Sequence, residues 1–160
     1  MLFRSYFDTS IDLSVDAFIP DNYIKDSGQK LEAYKRIAGI RSEDDKSEVV
    51  DELIDRFGDI PGEVMMLMDI AILRTRAHEA YVTSLKQIGK VFRFILYEKA
   101  ALDVARIPEL LEKNAPYLSF EPDPKKPALE FDAGKNNRLS KEDIDAVPWK
   151  IVDELVELKV

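Results

Sequence analysis

The sequence predicts an α+β fold with an N-terminal strand, three helices, a small antiparallel sheet and a C-terminal helix. Three observations carry this prediction. One segment near the N-terminus alternates apolar and polar residues, and the following segments repeat their apolar residues at helical spacing as far as about Tyr81. Beyond Thr83, short apolar runs are separated by glycine and proline, which is typical of short strands joined by turns.

The predicted first strand covers residues 11–19. Its apolar residues occupy every second position, as expected for a half-buried strand, and Pro20 ends it. The alternating apolar residues are Ile11, Leu13, Val15, Ala17 and Ile19.

Capping residues mark the starts of the three predicted helices. Asp26 with Gln29, and Ser42 with Asp45, have the spacing of N-terminal caps, and Pro61 suits a helix start because its missing N–H is not needed there. Gly39 and Gly58 predict the ends of the first two helices. The residues predicted to face the core are Leu31, Tyr34, Ile37 and Ala38 in the first helix, Val49, Val50, Leu53, Ile54 and Phe57 in the second, and Val64, Leu67, Met68, Ala71 and Ile72 in the third.

The pattern in the second half of the sequence predicts the sheet and the last helix. Residues 85–88 and 91–97 flank the dipeptide Gly89-Lys90, which predicts a β-hairpin. A short helix over residues 101–113 and two strands over 117–120 and 128–131 follow. Ser140 with Asp143 predicts another cap, but Pro148 is expected to break or restart that helix, so its stable part is predicted at 149–158. Residues 1–10 fit poorly to the segment that follows them, and we interpret them as a boundary segment or cloning remnant. Residues 11–160 are predicted to form a single domain.

Composition excludes several classes of protein. The 160 residues are 46% hydrophobic and 34% charged, which suits a globular protein, and no apolar run is long enough to span a membrane. The chain has no cysteine, which favours a cytoplasmic setting. Its net charge of −8 opposes direct binding to nucleic acid.

A search for reactive groups finds no catalytic residue, metal site or cofactor motif. His78 is the single histidine, without a second histidine or a cysteine to join it as a metal ligand. The Gly134-Lys135 pair lacks the upstream glycine and the following Ser or Thr of a phosphate loop. We therefore expect no enzyme activity from this chain and no cofactor.

One charged helix face is the candidate site. At 100° per residue, the apolar residues of the second helix lie on one side, and Glu52, Asp55 and Arg56 cluster on the other. Helix geometry alone leaves two interpretations of this face. The charges are either ordinary solvated residues, with pairing between Glu52 and Arg56, or a docking surface.

Four stretches together resemble the C-terminal domain of bacterial transcription-repair coupling factors. These are DAFIPDNYI at 16–24, KLEAYKRIAGI at 30–40, ELIDRFGDIP at 52–61 and LMDIAILRTRA at 67–77. The resemblance is specific over residues 11–83, and only the order of elements resembles the family beyond that.

The resemblance implies a regulatory, non-catalytic domain. In the family, the full-length factor is an ATP-driven DNA translocase that displaces stalled RNA polymerase and recruits UvrA. The C-terminal domain docks on the UvrB-like N-terminal domain of the same chain, which masks UvrA binding and restrains the motor. Glu52, Asp55 and Arg56 match the family's contact face. The alternatives are a module that binds another protein in trans, an enzyme, and a direct DNA binder.

Overall fold

The computed structural model describes residues 7–160. They divide into two compact units. One contains Val15–Thr75 and is called the helical unit, and the other combines residues 7–14 with Arg76–Val160 and is called the sheet unit.

The helical unit contains three helices whose ends follow local chemistry. Helix α1 spans Ser27–Ala38, α2 spans Glu43–Phe57 and α3 spans Gly62–Glu79, the last continuing into the sheet unit. The Asp26 side chain accepts a hydrogen bond from the Gln29 N–H, and that of Ser42 accepts one from the Asp45 N–H. Gly58 ends α2 with a φ of 87°, a conformation that favours glycine. The predicted caps are therefore confirmed.

The core of the helical unit is aliphatic. Val49 and Leu53 of α2 are buried, as predicted, whereas Ile54 is 45% exposed. In α1 the predicted inward face is partly wrong, because Leu31 is 57% exposed. The apolar stripe of α1 is rotated relative to the prediction. The residues that form the buried core are Ile19, Ile24, Ala33, Ile37, Ile40, Val49, Leu53, Val64, Met68 and Ala71.

The sheet unit is built on five strands in the order β1-β2-β3-β5-β4. The strands are β1 at Ser10–Asp12, β2 at Val82–Ile88, β3 at Val91–Leu96, β4 at Leu118–Glu121 and β5 at Ala128–Asp132. The predicted hairpin is confirmed, with Gly89 at a φ of 60° in its turn. All neighbours pair antiparallel except β1, which joins β2 in parallel and makes the sheet mixed.

The first strand is shorter than predicted. Exposure alternates from residue 11 to residue 19 as expected, but β1 ends at Asp12. The Ser14 N–H donates to the Gln87 side chain at 3.0 Å instead of a ladder carbonyl. Exposure therefore alternates beyond the residues that pair with β2. An extended chain points successive side chains to opposite sides even without a hydrogen-bonded neighbour.

Two helices complete the sheet unit. A 3₁₀ turn at Val104–Arg106 leads into α4 at Ile107–Lys113, and α5 spans Lys141–Val156 from an N-cap at Ser140. The predicted break at Pro148 is wrong, since Pro148 lies inside α5. Its missing N–H costs about 3 kcal/mol in a helix interior, but burial of its own ring and of the surrounding apolar face opposes that cost. The α+β class and the order of elements are confirmed.

The predicted domain bounds of 1–10 and 11–160 stay predictions, and residues 1–6 lie outside the described residues. Within the described end of that segment, the Thr9 hydroxyl donates to the Val82 carbonyl at 2.7 Å. Phe7 stacks on Tyr97 with ring centroids 4.8 Å apart. Residues 7–10 therefore belong to the packed sheet unit.

Candidate functional site: the exposed face of α2

The structure places the three predicted site residues together on the surface. Glu52, Asp55 and Arg56 are all exposed on the last two turns of α2, and we call them the α2 patch. Between them, Leu53 is buried, which fixes the rotation of the helix about its axis. The helical period thus correctly predicted that these three charges share the surface.

Glu52 is held by a residue that sequence reasoning missed. The guanidinium of Arg36, in the last turn of α1, donates from Nε to Oε2 at 3.0 Å and from Nη2 to Oε1 at 2.8 Å. The predicted pairing of Glu52 with Arg56 is not the bond that forms. A two-bond fork between planar groups fixes orientation better than a single contact. No spacing in the sequence indicates this pair, because Arg36 and Glu52 lie 16 residues apart on different helices.

The same fork shifts both ionisations. The hydrogen bond from Arg36 lowers the pKa of Glu52 below its usual value, while partial burial opposes this, and the charge of Arg36 adds to the lowering. The hydrogen bond to Glu52 raises the pKa of Arg36. Both groups stay charged around neutral pH, so Glu52 presents a fixed anion on the surface.

Arg56 is held by an aromatic neighbour. Its guanidinium carbon lies 5.0 Å from the centre of the Phe57 ring, within the range of a cation–π contact. Tyr23 supports that ring with centroids 5.9 Å apart, and its hydroxyl donates to the Gly58 carbonyl at 3.0 Å. Burial, and then the charge of Asp59, raises the pKa of the Tyr23 phenol, which keeps it a donor. Tyr23 therefore contacts the C-terminal end of α2 at both Phe57 and Gly58.

Asp55 is the open member of the patch. Among residues 7–160 it forms no salt bridge, and it lies beside the exposed side chain of Ile54. Asp51 and Glu48, on preceding turns of α2, are also exposed. The patch thus combines a fixed anion, a fixed cation, a free carboxylate and an apolar neighbour, and this surface suits a protein bearing both cationic and apolar groups.

Other candidate chemistry is structural or absent from the described residues. The ring of His78 is packed against Phe7 with centroids 4.4 Å apart, and its Nδ1 lies 3.0 Å from the Thr9 hydroxyl. Within the part of the chain that the structure describes, no group of three or more potential ligands is placed to hold a metal ion. No helix among those residues is long and apolar enough to cross a membrane.

The fold and this surface together define the class, a small α+β domain whose candidate site is a charged helix face. The family model for the TRCF domain matches residues 13–107, and the chain belongs to that family. The match includes all of α1, α2 and α3 and therefore the whole α2 patch.

Curated relatives and a solved structure agree with this assignment. The transcription-repair-coupling factor of Bacillus subtilis is 38% identical over 98 residues, which is 61% of this chain, and that of Staphylococcus epidermidis is 39% identical over 97 residues. The chain spans only 8% of the length of these relatives. A crystal structure of the C-terminal domain of a transcription-repair coupling factor aligns with a TM-score of 0.67 over 98% of this chain and 99% of its own, at 21% identity. That likeness shows the fold.

Proposed function

We propose that this chain is the regulatory domain of a transcription-repair coupling factor and supplies no catalytic group itself. It docks through the α2 patch on the UvrB-like N-terminal domain of the same parent chain. Docking masks the UvrA-binding surface and restrains the ATP-driven DNA translocase, so that UvrA and RNA polymerase are reached only through the parent. The domain acts in the cytoplasm, where transcription takes place. Family membership and the printed names of the relatives support this proposal.

The geometry of the α2 patch is the observation that carries the proposal. Glu52 and Arg56 are each oriented by a neighbour, Arg36 and Phe57, although both remain exposed. Orienting an exposed side chain costs conformational entropy, and here contacts within the domain meet that cost before any partner arrives. A preorganised surface loses less free energy on binding than a mobile one.

The mixture of charges suits a contact that has to be released. Exposed ion pairs contribute little free energy each and weaken with salt, but they define orientation and reject wrongly charged partners. A restraint built from such contacts holds the resting state and still opens when another ligand favours the open state.

The test uses the full-length parent with Glu52, Asp55 and Arg56 replaced together by alanine. We expect its ATPase rate to rise and UvrA to bind more tightly, by roughly tenfold for a loss of about 1.4 kcal/mol of docking free energy. The matched control replaces Glu109, Glu112 and Lys113, which are exposed on α4 and have the same charges. Unchanged ATPase and UvrA binding in the first variant would contradict the proposal, as would equal changes in the control.

A second candidate is a module that binds a different protein in trans through the same patch. The exposed Ile54 beside Asp55 favours protein contact in general, whichever chain supplies it. Mixing this chain with the separate UvrB-like domain at increasing salt distinguishes the two. Association that weakens with salt and is lost in the alanine variant supports docking within the parent, whereas no association favours the partner in trans.

A further inference from the structure

A second charged surface of opposite sign lies at one end of the sheet. It is formed by the hairpin turn between β2 and β3 and by the loop between β5 and α5. These two segments, Gly89-Lys90 and residues 133–138, contain three cationic residues and no acidic one, in a chain of net charge −8. We call Ile88, Lys90, Lys135 and Arg138 the basic loop surface.

Backbone contacts hold the two loops together. The Ala133 N–H donates to the Lys90 carbonyl at 2.8 Å, which continues the pairing of β3 with β5 past the end of the strands. A Cβ added at Gly134 would lie 3.3 Å from Cδ of Lys90. The lysine stem therefore crosses directly over Gly134, and the cations of both loops are held at the same end of the sheet.

The cations of this surface are available to a ligand. Lys90, Lys135 and Arg138 are all exposed, and none of them forms a salt bridge within residues 7–160. Elsewhere in the sheet unit arginines are neutralised, as Arg93 is by Glu121 and Glu130. The nearest carboxylate in sequence, Asp132, is partly buried and accepts the Gly134 N–H at 3.1 Å. Three cations without a salt bridge are thus concentrated in two adjacent loops, beside the single carboxylate of Asp132.

An apolar side chain completes the surface. Ile88 is 68% exposed at the end of β2, directly before the turn, and its paired residue Val91 is half-buried. Exposing an isoleucine beside a turn of small and cationic residues leaves apolar area that only a ligand removes from water. Cations next to apolar area match a ligand that carries carboxylates and an apolar side chain.

We propose that the basic loop surface binds an acidic protein segment that contains an apolar side chain. Its carboxylates pair with Lys90, Lys135 and Arg138, and its apolar group packs on Ile88. This surface is independent of the α2 patch, so either proposal can fail while the other stands.

A protein segment fits these observations better than a nucleic acid does. Single strands are bound by basic grooves with exposed aromatic rings on which bases stack. Tyr117, an aromatic side chain that contacts one of these loops, is already stacked on Phe131 with centroids 5.4 Å apart, and its hydroxyl donates to Asn136 at 3.0 Å. A long polyanion also extends over the acidic remainder of the chain and meets more repulsion from it than a short acidic segment does.

The experiment measures fluorescence anisotropy of a short labelled peptide of repeated Glu, Asp and Leu on the whole chain at low salt. Lys90→Glu, Lys135→Glu and Arg138→Glu together should weaken binding by at least about tenfold, since like charges then face each other. The matched control, Lys99→Glu, Lys125→Glu and Lys126→Glu, makes the same change of net charge on exposed residues away from this surface. It should leave the dissociation constant within about twofold.

Further probes separate the competing explanations. A peptide in which Gln and Asn replace the acids, and a short DNA duplex, should both bind more weakly than the acidic peptide. Ile88→Ser should weaken the acidic peptide by roughly threefold to tenfold through lost apolar contact. Circular dichroism is recorded for each variant, including those in which Gln replaces the three cations, and checks that the fold is retained. Equal loss in the control, no preference for the acidic peptide, or tighter binding of the duplex would overturn the proposal.

Discussion

The helical unit and the sheet unit are stabilised in different ways. In the helical unit α1 and α2 start and stop on their own capping residues, and the core that joins the helices is aliphatic. In the sheet unit the central residues Phe92 and Phe94 are buried on β3, which pairs with β2 through a local hairpin and with β5, which is distant in sequence. Local chemistry thus defines the ends of α1 and α2, whereas the strand order of the sheet depends in part on pairing between segments distant in sequence.

Charges show the same contrast. Arg93 lies between two carboxylates, Glu121 on β4 and Glu130 on β5, and its guanidinium donates hydrogen bonds to both. Arg36 also binds a carboxylate bidentately, but it hydrogen-bonds Glu52 alone. The two forks therefore differ in the number of carboxylates that the arginine hydrogen-bonds and not in exposure, since the side chains of Glu52 and Glu121 are 51% and 58% exposed.

The largest expected effect tests the core of the sheet unit. Phe94→Ala removes a fully buried ring from the central strand and should lower the free energy of unfolding by about 3–5 kcal/mol. Ile88→Ala, on the neighbouring strand at 68% exposure, should change it by less than about 0.5 kcal/mol. Urea denaturation measures both. Similar losses for the two variants would contradict this view of the core.

A glycine comparison tests local control in the helical unit. Gly58 has a φ of 87° and a ψ of −161°, so Gly58→Ala should destabilise by about 1–3 kcal/mol. Gly62→Ala is the control, because it is at the start of α3 with no neighbour within 4 Å of an added Cβ. That change should be neutral or slightly stabilising. If thermal denaturation showed equal effects, backbone conformation would not be the cause.

Titration sharpens the comparison between the two arginine forks. Arg36→Gln should raise the pKa of Glu52 towards its ordinary value of 4.5, and Arg93→Gln should do the same for Glu121. Because both pKa values are lowered by folding, their contribution to stability is present above about pH 4.5 and lost as pH falls through the folded values. Carboxyl NMR shifts followed against pH measure this. A Glu52 titration unmoved by Arg36→Gln would show that the fork is not formed in solution.

The smallest expected effect separates docking from stability. Arg56→Ala removes a cation–π contact from an exposed site and should cost about 0.5–1 kcal/mol of stability. Arg74→Ala, an exposed arginine of α3 without a salt bridge in the described residues, should cost less than about 0.5 kcal/mol. Chemical denaturation compares the two. A much larger loss for Arg56→Ala would make it a structural residue and weaken its assignment to the patch.

Much of the candidate site was predictable because it depends on one helix. The helical period placed Glu52, Asp55 and Arg56 on the surface, and the structure agrees. Arg36 could not be assigned in the same way, because its partner is on another helix and nothing in the spacing indicates which residues face each other across two packed elements. The basic loop surface was missed for the same reason, since Lys90 and Lys135 are far apart in sequence.

The sequence by itself determined the starts of α1, α2 and α5, the end of α2 and the turn at Gly89. Each depends on hydrogen bonds or backbone conformations confined to a few consecutive residues. Only the tertiary structure decided that β1 pairs in parallel and ends at Asp12, that Leu31 faces outward, and that α5 continues through Pro148. Those outcomes depend on which distant residues are in contact, and burial against them outweighs local preference.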